Sequence, residues 1–283
     1  MNYLQLNLRK NRIIYFNNFK NYSVIILLFL FTSCEPFEFS PYEVPHLKES
    51  ETNLNAKNIE KISSISSVNA DSFNFAIISD THIEYSTLEE VVNQINNDND
   101  IRFVIHLGDM TDGGLYKEYN WTNEKMSKLN VPYIMVIGNH DYLSNGKLIY
   151  DKMYGSSSFT FIFNKTKFVC FDDVVWENNN TNPDFNWLNT NLSDNNLYKN
   201  TFVFSHIPPF SDQFNEYCEL TFNNILASNN VKCSFHGHVH SYSFEQHYNN
   251  NSTWYFTADY LKNQKYYKIH VSDTFFNIQT ISF

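Results

Sequence analysis

Asp, His and Asn recur in five short clusters: Asp80-Thr81-His82, Gly108-Asp109-Met110-Thr111-Asp112, Gly138-Asn139-His140-Asp141, Ser205-His206 and Gly237-His238-Val239-His240. Each directly follows an apolar run. Oxygen and nitrogen donors without a thiolate suit Mn²⁺, Fe or Zn²⁺ and not a soft-metal or iron–sulfur centre. In an extended segment the i and i+2 side chains point the same way, so Asp80 with His82, and His238 with His240, can reach one ion. A glycine before Asp109, Asn139 and His238 lets the chain turn sharply out of a strand. Such a donor set points to metal-assisted chemistry.

Those clusters must be held by elements whose ends meet. Phe73 to Ser79 reads as a buried strand, Arg102 to Leu107 as a second and Tyr133 to Ile137 as a third. Ser86-Thr87-Leu88-Glu89 reads as a capping box, opening a helix with Leu88, Val91, Val92 and Ile95 on one face. Leu115 to Leu129 reads as a second amphipathic helix. The order β-α-β-α-β implies a largely parallel sheet covered by helices. Further on, 158–163 and 167–172 form an expected hairpin, 184–192 and 220–227 expected helices, and 201–205 and 232–236 expected strands. The stretches 253–258, 266–271 and 275–282 read as antiparallel strands joined by tight turns. The natural packing is α/β, a four-layer αββα sandwich of two mixed β-sheets flanked by helices. Sites in such sheets lie at the carboxyl ends of strands, where loops converge on a rigid scaffold.

The ordered motifs D-x-H, G-D-x-x-D, G-N-H-D, H and G-H-x-H, spanning roughly Phe75 to His240, resemble the calcineurin-like metallophosphoesterase superfamily. Alone each motif is weak; in order, each after a strand, they are specific. The resemblance implies a first metal held by Asp80, His82 and His240, and a second held by Asn139, His206 and His238. Asp109 would bridge both. It implies that His140 protonates the leaving oxygen or stabilises charge there, and that Asp112 orients His140. It implies in-line attack on phosphorus by a metal-bridging hydroxide, on a phosphomonoester or a phosphodiester. Phosphoprotein phosphatases carry an Arg after the second Asp, where this chain has Gly113, and purple acid phosphatases lack the His of D-x-H. Neither closer relationship holds. The competing class is a catalytically inactive, metal-containing binding protein at the cell surface, in which lost ligands would be expected; none is seen.

The net charge is −10. The first 33 residues hold Arg9, Lys10, Arg12 and Lys20 and no acid, so the remainder is more acidic still. An acidic body is a poor match to nucleic acid, while a small phosphate ester remains compatible because bound metals invert the local field. The apolar run Val24 to Phe31 is short for a bilayer span and has the length of a signal-peptide core. Thr32-Ser33-Cys34 behind it resembles a bacterial lipoprotein processing site, which implies export to the cell envelope and a lipid anchor to the membrane on Cys34. An ordinary signal peptide or an uncleaved anchor is the alternative. The expected organisation is a signal peptide over 1–33, a tether over 34–70 with one short helix near 54–65, and the catalytic domain over 71–283. Cys170, Cys218 and Cys233 are odd in number and read as small core hydrophobes. His106 and His236 read as core histidines, Asp141 as a loop brace, and Asp172, Asp173 and Asp259 as turn residues.

Overall fold

Alternation along the first strand shows how the layers arise. In β1 (Ser72–Ile78), Phe73, Phe75 and Ile77 face one side while Ala76 and Ile78 face the other, and both sides are buried. Such a strand can only lie between two apolar layers. The structure, a computed structural model, describes residues 40, 42–44, 46–65, 72–194, 197–248 and 252–283. The signal-like run 24–31, Cys34 and the Asn249–Asn251 run lie outside the described residues.

Helix α1 (Leu54–Ser64) precedes β1. There follow α2 (Tyr85–Asn96), β2 (Ile101–His106), α3 (Tyr116–Met126), β3 (Tyr133–Met135) and α4 (Gly146–Met153). The hairpin β4 (Phe159–Phe163) and β5 (Thr166–Cys170) leads to α5 (Phe185–Leu192), β6 (Asn200–Phe204), α6 (Glu216–Ser228) and β7 (Cys233–His236). The chain ends with β8 (Ser243–Glu245), β9 (Trp254–Thr257), β10 (Lys265–Ser272) and β11 (Phe276–Ser282). One sheet has the order β11-β10-β1-β2-β3 and the other β4-β5-β6-β7-β9-β8. Strands β1, β2 and β3 are parallel, as are β5, β6, β7 and β9, while β10, β11, β4 and β8 pair antiparallel with their neighbours, and β3 is left as a parallel edge. Both sheets are therefore mixed, and the expected α/β sandwich is what forms.

Between the sheets lies a core built largely of phenylalanine, with Phe75 stacked on Phe103 and Phe204 on Phe235. Each fully buried Phe contributes about 1.5–3 kcal/mol. Helices α2, α3 and α4 cover the outer face of the first sheet, and α5 and α6 that of the second. All seven parallel strands end on the same side, so their following loops share one rim.

Three elements depart from the sequence reading. Strand β9 does not join a carboxyl-terminal antiparallel meander; it pairs in parallel with β7 in the second sheet, and only β10 and β11 form a hairpin. Helix α2 starts after Glu84 and not at Ser86, because Glu89 is engaged by Lys125 and Lys128 at 2.6 and 2.7 Å instead of closing a capping box. Helix α4 occupies a stretch that reads as loop. Helix α1 falls where a short helix is expected near 54–65, and it packs along the facing sheet edges β3 and β4. Asn55 pairs with the edge strand β3 as a further strand would: its Nδ2 donates to the Met135 carbonyl and its Oδ1 accepts from the Met135 N–H, both at 2.9 Å. That satisfies edge groups otherwise open to pairing with another chain. Among the described residues no helix is long and apolar enough to cross a membrane.

Candidate metal centre

The loops after β1, β2 and β3 carry Asp80, His82, Asp109 and Asn139, and those after β6 and β7 carry His206, His238 and His240. These seven side chains, contributed by both sheets, converge in two groups. Asp80 Oδ1 lies 3.2 Å from His240 Nε2, and His82 Nε2 lies 3.4 Å from the same nitrogen. Asp109 Oδ2 lies 3.2 Å from His206 Nε2. Asn139 Oδ1 lies 3.2 Å from His206 Nε2 and 3.1 Å from His238 Nδ1. In each of the sets Asp80–His82–His240 and Asp109–His206–His238, one donor atom per residue falls within 4.8 Å of the others. Asp109 Oδ2 is also 3.7 Å from His82 Nε2, which puts this carboxylate between the groups. His82, Asp109 and His140 satisfy the same spacing.

Convergence has a local cost. Asp80, His82, Asp109, His238 and His240 all have positive φ, between +46° and +70°. Only glycine adopts that conformation freely, and held residues there cost of order 1–3 kcal/mol each. Gly138 shows how tight the fit is: a Cβ there would stand 2.3 Å from both the backbone nitrogen and Oδ1 of Asp109.

The donors fit cations by their hydrogen bonding. His206 Nδ1 donates to the Leu107 carbonyl at 2.8 Å, and a carbonyl can only accept. In the neutral ring, Nε2 then turns a lone pair toward Asp109 Oδ2 and Asn139 Oδ1, which are acceptors too. Three lone pairs facing one another repel unless a proton or a metal cation lies among them. Acid–base balance reflects the same crowding. Burial opposes a charged His206, but the adjacent Asp109 carboxylate outweighs it and raises its pKa to about 10. For Asp109 burial favours the neutral acid, yet His206, His140 and His82 outweigh it and hold it well below the usual carboxylate range. Burial pulls His238 down to about 4 and lowers His82. His240 is raised by its hydrogen bond to Asp80.

His140 lies beside the pair, its ring 4.6 Å from that of His82 and nearly perpendicular to it. Its Nδ1 donates at 2.7 Å to Asp112, but to the backbone carbonyl. The Asp112 carboxylate instead stands 3.5 Å from His82 Nδ1, with more than half of its surface exposed. Asp112 thus meets His140 through its main chain, and its carboxylate does not take part.

Buried acids brace the loops. Asp141 accepts from Gly138, Thr111 and Met110 backbone N–H groups, tying the loop behind β3 to that behind β2; burial, with Asp109 nearby, raises its pKa to about 7. Asp173 accepts from the N–H groups of His206 and Ile207, so it supports the site beyond any turn role. His106 bonds Thr81 and Gly108, and His236 bonds Ser205, all inside the core. Asp259 is bound by Lys265 and Asn263.

Two residues escaped the sequence reading. Tyr260 stacks on His240 with ring centroids 4.6 Å apart. Glu177 Oε1 accepts from Asn139 Nδ2 at 3.1 Å, which fixes the amide with its oxygen toward the two histidines. Its only signal is one acid in an Asn-rich loop. Replacing Glu177 with Ala frees that amide to rotate and should weaken cation binding at the Asn139–His206–His238 group about 10–100-fold. Calorimetric titration with Mn²⁺ would read this as weakened binding; binding unchanged from the wild type would refute it.

Residues 73–242 match the family described as calcineurin-like phosphoesterase. The chain is 32% identical over 65 residues to a "Probable cyclic nucleotide phosphodiesterase" of Xenorhabdus bovienii, a match covering 23% of this chain and 26% of that relative. It thus spans about a quarter of that protein's length. A dimetal phosphatase from Danio rerio superposes with a TM-score of 0.58 at 14% identity, over 74% of this chain and 98% of that one. A purple acid phosphatase from Lupinus luteus seeds gives 0.58 at 12% identity, over 75% of this chain and 51% of that one. These two likenesses speak to the fold.

Proposed function

Because the chain belongs to the calcineurin-like phosphoesterase family, we propose that it is a hydrolase of small phosphate mono- or diesters working with two metal ions. The observation that carries this reading is the meeting of seven donors from both sheets around the shared Asp109 carboxylate. Asp80, His82 and His240 would hold one ion, Asn139, His206 and His238 the other, and Asp109 both. Bound there, the ions make water nucleophilic at neutral pH and offset charge growing on the phosphoryl oxygens.

The protein's own groups do the rest. His140, its Nδ1–H held by the Asp112 carbonyl, has Nε2 free to take up a proton and pass it to the leaving oxygen. Asp109 Oδ1 accepts from the His140 N–H at 2.9 Å, so the acid rides on the same carboxylate that both ion sites share. The Leu107 carbonyl keeps the His206 tautomer correct, and Glu177 keeps Asn139 Oδ1 inward. Purified protein should hydrolyse p-nitrophenyl phosphate or its bis ester with Mn²⁺. Chelator should abolish turnover and Mn²⁺ restore it. Turnover indifferent to chelator would sink the reading.

We propose further that the enzyme is exported and acylated on Cys34, on the support of the Val24–Phe31 run and the Thr32-Ser33-Cys34 motif behind it. Cells expressing the full chain should incorporate labelled palmitate into it, and Cys34→Ser should not. Equal labelling of both, or of neither, would count against the anchor.

A further inference from the structure

All seven parallel strands deliver their following loops to the rim of the site. These loops are 80–84, 108–115, 138–145, 171–184, 205–215, 237–242 and 258–260. None contains a Lys or an Arg. They do contain acids beyond the two candidate ligands, among them Glu84, Asp112, Glu177 and Asp212. Lys262, just beyond the last loop, is paired with Glu84 at 3.6 Å. A dianionic phosphoryl group would find no guanidinium or ammonium on any of these loops, only histidines, the ions and a surplus of carboxylates. Each added negative charge on the substrate is penalised there.

The same loops expose apolar side chains. Ile83 directly follows His82 and is 59% exposed; Val239 lies between His238 and His240 and is 40% exposed. Trp176 precedes Glu177, the partner of Asn139, and is 48% exposed, while Leu143 follows the His140 turn at 37%. Large apolar side chains left in water on the loops that carry a polar centre mark contact surface for a ligand with apolar substituents.

From loops that carry no Lys or Arg of their own and the apolar side chains they expose, we infer that the substrate is a phosphodiester, a monoanion carrying a bulky apolar group on at least one ester oxygen. This rests on the hydrolase reading and narrows it. Water adds to phosphorus and gives up a proton, the P–O bond to one organic group breaks, and that group leaves as an alcohol with the proton from His140, which the water's proton then replaces. The remaining product is a monoester, whose second charge the acidic rim repels, favouring its release.

The test compares three esters with one leaving group at a pH above the second ionisation of a monoester, about 6, on the full-length Mn²⁺-loaded enzyme. They are p-nitrophenyl phosphate, methyl p-nitrophenyl phosphate and bis(p-nitrophenyl) phosphate. The bis ester should exceed the monoester in kcat/KM by about tenfold or more, and the methyl ester by about 10–100-fold, as an apolar pocket discriminates. Trp176→Ala and Ile83→Ala should raise KM for the bis ester severalfold and leave the methyl ester unchanged. A monoester preference would overturn the inference while leaving the hydrolase reading intact. Equal turnover of both diesters, untouched by either substitution, would overturn the apolar assignment. No turnover of any ester would overturn the hydrolase reading itself, and this inference with it.

Discussion

Asp109→Asn should remove metal and turnover together. The carboxylate lies 3.2 Å from His206 and 3.7 Å from His82, one member of each donor group, and its second oxygen receives the His140 N–H. An amide keeps the shape but withdraws the charge that two cations would share. It also leaves His206 facing a neutral neighbour in a fully buried position. Losing a single electrostatic stabiliser already costs about 10²–10³ in kcat, and under the proposed reading Asp109 would serve two ion sites at once. The expected fall in kcat/KM is therefore about 10³-fold or more. Elemental analysis should find fewer than half the ions of the wild type. A variant that held two ions and turned over normally would remove Asp109 from the mechanism.

His140→Gln should separate the two properties. This residue belongs to neither of the two proposed ligand sets, and its ring is fixed from outside by the Asp112 carbonyl. General-acid help is typically worth about 10²–10⁴-fold, so kcat should fall within that range while two ions stay bound. The loss should shrink with esters whose leaving group needs little protonation, such as p-nitrophenolate, and grow with alkyl leaving groups. A loss independent of the leaving group would assign His140 to charge stabilisation instead of proton transfer.

The convergence of the five clusters was legible because each follows an apolar strand, and parallel strands end on one side. Such information is local: a few residues, a period of two and a glycine. What escaped depends on distant partners. Glu177 is one acid in a loop without periodicity, and only its meeting with Asn139 gives it meaning. Ser86-x-x-Glu89 has the composition of a capping box, but Lys125 and Lys128 hold Glu89, so a long-range ion network decided where α2 starts. Strand β9 was recognisable as a strand; its sheet was not, since a short run buried on both faces suits either one. Asp112 shows a subtler limit. Its position beside His140 was right, but a sequence motif names a side chain, and here the backbone oxygen makes the contact.

Under the proposed acylation of Cys34, the docking of the segment before β1 would set a working height for the enzyme. The body already grips the chain at Tyr42, whose carbonyl accepts from Asn145 Nδ2 at 2.7 Å. An acyl group on Cys34 would leave a leash of eight residues. At no more than about 3.6 Å each, they reach about 30 Å. An enzyme on so short a lead would patrol the bilayer surface and little of the space beyond it, and would meet chiefly esters that gather there.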